Sequence, residues 1–174
     1  NSQYSSNTAT LGASSGKYYW EIKIAARTTG DYFHLGIKSK QDLNTSTALG
    51  VESTDYCYKS FNGQSMSNDS SSAYGSTYTV GDIIGVAMDL DNNKLYFHKN
   101  GTYQNSGVPT SGSTGTGAIS LTDPADTDFG FYLPAWSFND GSGYGTIEAN
   151  FGNGYFGTTA VSSAGSNASG IGIF

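Results

Sequence analysis

The architecture of this chain can be worked out from GDIIGVAMDLDNNKLYFHKNG, residues 81–101. Its first half alternates: Ile84, Val86, Met88 and Leu90 fall on one side of an extended chain, while Gly85 and Ala87 keep the other side small. Period two with β-branched residues marks a half-buried strand, and the small side lets another group approach closely. KLYFHK, residues 94–99, is expected to pair with it as a hairpin, with Leu95 and Phe97 inward. Asn100-Gly101 comes next, the dipeptide preferred where two successive turn residues take positive φ.

The centre of the same stretch raises a metal question. Asp89, Asp91 and Asn93 have the spacing of the first three ligands of an EF-hand loop, which next needs a Gly and later a bidentate Glu. Lys94 stands at the Gly position and Asn100 at the Glu position, and strands replace the two flanking helices. The expected role of these side chains is therefore hydrogen bonding within a turn, with no metal site and no cofactor. A second acidic group, Asp123, Asp126 and Asp128 in DPADTDFG, is expected to be a solvated turn beside Pro124 and Gly130.

Working outward, KYYWEIKIA places Tyr18, Trp20, Ile22 and Ile24 on one face, and YFHLGIK gives a second strand. Residues 1–16 are polar and without helical period. Residues 41–79 hold short apolar touches among Ser, Asn, Asp and Gly, expected to be short strands with long loops, where binding often occurs. DFGFYLPAWSF reads as a strand interrupted at Pro134, which implies an edge or a bulge, and GTIEANFGN closes the series. The fold class expected is all-β, an antiparallel two-sheet β-sandwich in one domain over residues 1–174. The first residue is Asn, and SNASGIGIF at the end looks like a strand beginning. Both lead to the expectation that this is a piece of a longer polypeptide.

Composition narrows the function. Charged residues are only 13% and net charge is -6 with eight Lys and Arg in all, so the clustered cations that phosphate backbones require are missing and nucleic acid is not an expected partner. Membrane insertion is not expected either, since no apolar run is long enough. The single cysteine, Cys57, excludes an internal disulfide and reads as a small buried strand residue. GNGYFG, residues 152–157, matches G-x-G-x-x-G, but the segment after it, residues 158–174, has no helical pattern and holds no acidic residue, so no dinucleotide site is expected. Glu21, Glu52 and Glu148 lie in no E-x-D-x-E arrangement, and His34 and His98 fall in expected strands without a G-x-S-x-G elbow. The chain is not expected to be an enzyme.

Taken in order, GKYYWEIKI, HLGIK, GDIIGVAMDLDNNKLYFHKNG, FYLPAWSF and GTIEANFG resemble the SPRY domain from residue 16 to residue 152. The resemblance implies a bent, concanavalin A-like jelly-roll sandwich and a non-enzymatic binding module whose ligand surface is built from loops at one edge. It also implies that Trp20, Gly36, Gly81, Asp82, Gly85, Asn100, Gly101 and Gly152 are framework. The Leu-Asp-Pro segment that often precedes eukaryotic members has no counterpart in residues 1–15. The Gly-, Ser- and Tyr-rich, Lys-poor style is similar to SPRY domains embedded in bacteriophage structural proteins.

The candidate ligand contacts are Tyr56, Tyr58, Phe61 and Asn62 in the long-loop region, and Trp136, Phe138 and Asn139 after Pro134. Aromatic faces stack on sugars or peptides while neighbouring amides fix hydroxyl or backbone groups. The similarity to SPRY domains of bacteriophage structural proteins implies a virion protein (tail, fibre or capsid decoration) in an extracellular particle. Its expected partners are other virion subunits, or a host-surface glycan or protein. A pure assembly module and a secreted carbohydrate-binding module are the alternatives.

Overall fold

The structure is a computed structural model that describes residues 3–28, 30, 32–40, 47–140, 144–156 and 159–160. Its strands are β1 (Gln3–Thr8), β2 (Lys17–Arg27), β3 (Tyr32–Lys38), β4 (Asp55–Lys59), β5 (Gln64–Ser67), β6 (Ser70–Ala73) and β7 (Ile83–Asp89). The chain continues through β8 (Lys94–Lys99), β9 (Thr102–Tyr103), β10 (Ile119–Ser120), β11 (Leu133–Asp140), β12 (Gly145–Asn150), β13 (Tyr155–Phe156) and β14 (Thr159–Ala160). One sheet runs β1-β11-β3-β4-β5-β6; the other runs β10-β8-β7-β2-β12, with β9 added to β8. Every pairing within the two sheets is antiparallel. The all-β sandwich expected from alternation is the fold observed. The ending SNASGIGIF lies outside the described residues.

The core is built from the faces that alternation defines. Trp20, Ile22 and Ile24 of β2, Ile84, Val86 and Met88 of β7, and Leu95 and Phe97 of β8 meet Phe33, Leu35 and Ile37 of β3 and Tyr56 and Tyr58 of β4. Burying each such side chain contributes about 2 kcal/mol, the main term holding the sheets together.

The β7–β8 hairpin uses its acidic residues internally. Asp89 accepts hydrogen bonds from the Asn92 N–H (3.1 Å) and Asn92 Nδ2 (2.9 Å), and pairs with Lys17. Asp91 accepts from the Gly16 N–H at 2.7 Å. At the other end, Asn100 (φ 48°) and Gly101 (φ 83°) form the tight turn into β9. Asn100 also accepts from the Ile83 N–H (2.8 Å) and donates to Asp82 (2.7 Å), which in turn pairs with Lys99 at 3.0 Å. In DPADTDFG the Asp123 carboxylate caps a short 3₁₀ turn by accepting from the Ala125 N–H at 2.9 Å.

Two elements differ from expectation. The Ser-rich N-terminus contains β1, which pairs along β11 from Gln3↔Asp140 to Thr8↔Ala135. Of the edge or bulge expected at Pro134, the edge is not found, since β11 is an interior strand between β1 and β3, and the irregularity falls in the facing chain. The proline is accommodated because β1 ends beside it. Pro134 C=O accepts from the Ala9 N–H at 2.8 Å, and pairing resumes only at Ala13↔Tyr132. The N–H and C=O of a strand residue point to the same neighbour, so the missing donor falls where the neighbouring chain bows away.

Candidate functional site

The outer face of the first sheet is divided into a covered half and an open half. Residues 47–54 lie over the covered half and are pinned at Leu49, which is fully buried with Cys57 and Ala135. The Leu49 N–H donates to Ser137 Oγ at 2.9 Å, and its carbonyl accepts from His34 Nδ1 (3.0 Å) and Cys57 Sγ (3.1 Å). A carbonyl can only accept, so the His34 proton sits on Nδ1. Burial lowers the pKa of His34, which keeps the ring neutral. Nearby, buried Lys38 pairs with Asp55 (3.2 Å) and Glu52 (3.7 Å). Burial raises the Asp55 carboxyl to about 6 against the opposing pull of Lys38.

The open half is a groove of about 580 Å³, lined by Tyr4, Tyr32, His34, Lys59, Phe61 and Ser71 among others. Phe61 is 46% exposed although the ring is large and apolar. Its ring lies 4.7 Å from that of Tyr32, and Lys59 Nζ sits 5.6 Å from its centroid. Lys59 also donates to Ser71 Oγ at 2.7 Å, which fixes the ammonium at the groove wall. Strand geometry brings these groups together: Tyr32, His34 and Lys59 are outward positions of β3 and β4, with His34 directly opposite Lys59. The arrangement offers an aromatic platform, a held cation and hydroxyls, a set suited to an apolar group joined to carbonyl or carboxylate oxygens.

The candidate residues separate cleanly. Phe61 is in the groove, and Asn139 occupies the register position between Tyr4 of β1 and Tyr32 of β3. Asn62 is turned to its own loop, bonding Gln64 through both its amide nitrogen (2.6 Å) and oxygen (3.1 Å). Tyr56 and Tyr58, candidates from the long-loop region, lie on a short strand there, β4, in the middle of the sheet and point inward, away from any ligand. Tyr56 bonds Thr122, and Tyr58 packs on Tyr74, Tyr78 and Phe97. Phe138 packs on Phe33 at 4.9 Å, and Trp136 packs against the same core. Their positions follow from alternation, since a strand that buries one face must turn every second side chain inward. The same rule would have found Tyr32, His34 and Lys59, which flank the inward Phe33 and Tyr58.

Among the described residues no group of three or more His, Cys, Asp or Glu is placed to hold a metal ion. No helix among them is long and apolar enough to cross a membrane.

A sandwich of this order with a groove on one outer face belongs to a known class: the SPRY domain family matches residues 17–121, and the chain belongs to that family. Among individual proteins, Ran-binding protein 9 of Danio rerio is 35% identical over 95 residues, 54% of this chain and 16% of that protein. Ran-binding protein 9 of Homo sapiens has the same identity over the same length, 13% of that protein. The Ran-binding proteins 9/10 homolog of Drosophila melanogaster is 30% identical over 92 residues, 10% of its length. The chain thus spans only a small part of the relatives it matches. They are animal proteins, and they overturn the expectation of a virion tail, fibre or capsid protein and of a place in an extracellular particle. Gly, Ser and Tyr richness reflects turns and hydroxyl-lined sheet faces, which such a sandwich needs whatever its origin.

Proposed function

We propose that this chain is a non-enzymatic protein-interaction domain that captures an extended segment of a partner protein in the Tyr32–Phe61 groove. The observation that carries the proposal is Phe61: a half-exposed ring packed at a tilt against Tyr32 and flanked by the held ammonium of Lys59. Exposed aromatics paired with fixed polar groups are the usual anchors of protein interfaces. The relatives' names identify them as Ran-binding, which makes Ran the first whole protein to try.

The test is selection of random displayed peptides on the immobilised domain, followed by binding to Phe61→Ser and Tyr32→Ser variants. Selected peptides should lose at least about tenfold in affinity with either variant. Phe61 is half exposed, so its substitution should leave the melting temperature nearly unchanged. Peptides that bind Phe61→Ser as tightly as the parent would refute the assignment.

A further inference from the structure

The charge in the Tyr32–Phe61 groove is unbalanced. Lys59 is only 6% exposed, yet its Nζ ends at the groove wall, between the exposed Ser71 hydroxyl and the half-exposed Phe61 ring. An ammonium carries three N–H donors. Ser71 Oγ takes one at 2.7 Å, and the other two have no acceptor among the described residues. Nor does any carboxylate among them lie within 4.0 Å of Lys59 Nζ, the reach of an ion pair. Lys38, buried elsewhere on the same sheet face, is treated differently, with Asp55 at 3.2 Å and Glu52 at 3.7 Å. The groove does hold one carboxylate, Asp69, but it is exposed on the β5–β6 turn and pairs with no cation among the described residues.

We propose that the segment captured in this groove is acidic: it sets an Asp or Glu carboxylate on Lys59 Nζ and, two residues away, an apolar side chain on the Phe61 and Tyr32 rings. The inference rests on the reading of the groove as a peptide site. A segment that covers Phe61 also strips water from the neighbouring ammonium, and a desolvated charge without a counter-charge is costly. A carboxylate offsets that cost and accepts the two spare N–H groups. The spacing follows from the strand. Lys59 Nζ lies 5.6 Å from the Phe61 centroid, and same-face side chains of an extended chain repeat every two residues, about 7 Å. A phosphoryl group carries about -1.5 to -2, more than one ammonium balances, whereas a carboxylate matches it. A basic side chain is repelled by Lys59, and its attraction to Asp69 is weakened by water at the exposed rim. The net charge of -6 opposes an acidic segment from afar. At physiological salt that repulsion is screened beyond about 8 Å, so the contact at Lys59 decides.

The probes are capped pentapeptides, Ser-Phe-Ser-Glu-Ser and Ser-Glu-Ser-Phe-Ser, which present the pair in both chain directions. Comparison peptides carry glutamine or phosphoserine in place of the glutamate, and titrations are followed through amide shifts in ¹⁵N spectra at physiological salt. One of the glutamate peptides should bind about tenfold tighter than its glutamine counterpart, and tighter than its phosphoserine counterpart. Lys59→Met should bring the glutamate and glutamine peptides within about twofold of each other. Asp69→Asn, on the exposed rim, should tighten the glutamate peptide by about twofold and leave the glutamine peptide unchanged. That variant and the peptide comparison carry the test if Lys59→Met does not fold. Phe61→Ser should weaken every peptide, which reports the groove itself. Equal binding of glutamate and glutamine peptides, a preference for phosphoserine, or an acid preference that survives Lys59→Met would overturn the acidic assignment alone, as long as Phe61→Ser still weakens binding. Peptides that bind Phe61→Ser as well as the parent, or no binding at all, would overturn the groove reading together with it.

Discussion

A Cβ added to Gly85 would come within 1.9 Å of His98 Nε2, because the histidine ring lies directly over that glycine. The hydrogen bonds around that ring fix its protonation. Tyr19 Oη donates to Glu21 (2.7 Å) and therefore accepts from His98 Nε2 (2.6 Å), while His98 Nδ1 accepts from the Gly101 N–H (3.1 Å). Gly85→Ala should displace the ring, break this chain and destabilise the domain by about 1–3 kcal/mol; chemical denaturation measures the cost. The small face expected at Gly85 and Ala87 was thus legible in the alternation, but the occupant, a histidine from the next strand, was not. Both His34 and His98 have pKa values lowered by burial, against a pull from the Leu49 carbonyl on one and from Glu21 on the other. A histidine whose folded pKa lies below its unfolded value stabilises above about 6.5 and loses that contribution as pH falls through this region. Substituting either by Gln should therefore flatten the acid side of the stability profile in thermal melts between about pH 7 and 5.

At the level of elements, the hairpins were the most legible parts, because turn chemistry is local. Asn100-Gly101 turns as expected, while Asn68 and Asp69 make a similar positive-φ turn between β5 and β6 without the glycine that would have announced it. β1 was missed because an edge strand needs little apolar patterning of its own when its partner supplies the register. The segment over β3 and β4 is held by the buried Lys38–Asp55 pair, and here the sign of the pH effect is opposite to that of the histidines. The Asp55 carboxyl, raised to about 6, favours the fold when protonated, so its contribution is full below its unfolded pKa and lost as pH rises through 6. Lys38→Met leaves that carboxylate without its nearest cation and should cost about 3 kcal/mol at pH 7. The penalty should shrink toward about pH 5 as Asp55 takes up a proton, a trend that melts of variant and parent at both values will reveal or refute.

For the molecule as a whole, stability comes from one apolar core between two sheets, with one cysteine in the chain. Cys57 is fully buried and burial pushes its thiol far up, so it is held as an unreactive thiol that donates to the Leu49 carbonyl. A thiol reagent should label the native protein only at the rate at which the sheet opens, and labelling should become immediate in denaturant. Fast labelling of the native state would mean that residues 47–54 release Leu49 far more readily than the rest of the fold.

Strands, turns and inward faces were set by residues adjacent in the chain, because period two and positive φ are local steric facts. That is why the sandwich could be named from residues 81–101 and their neighbours. The candidate site depends on what a distant segment covers. Residues 47–54 close half of one sheet face and leave Phe61 open. An outward side chain is only half of a site; the other half is supplied by chain far away in sequence, and only the folded arrangement brings the halves together.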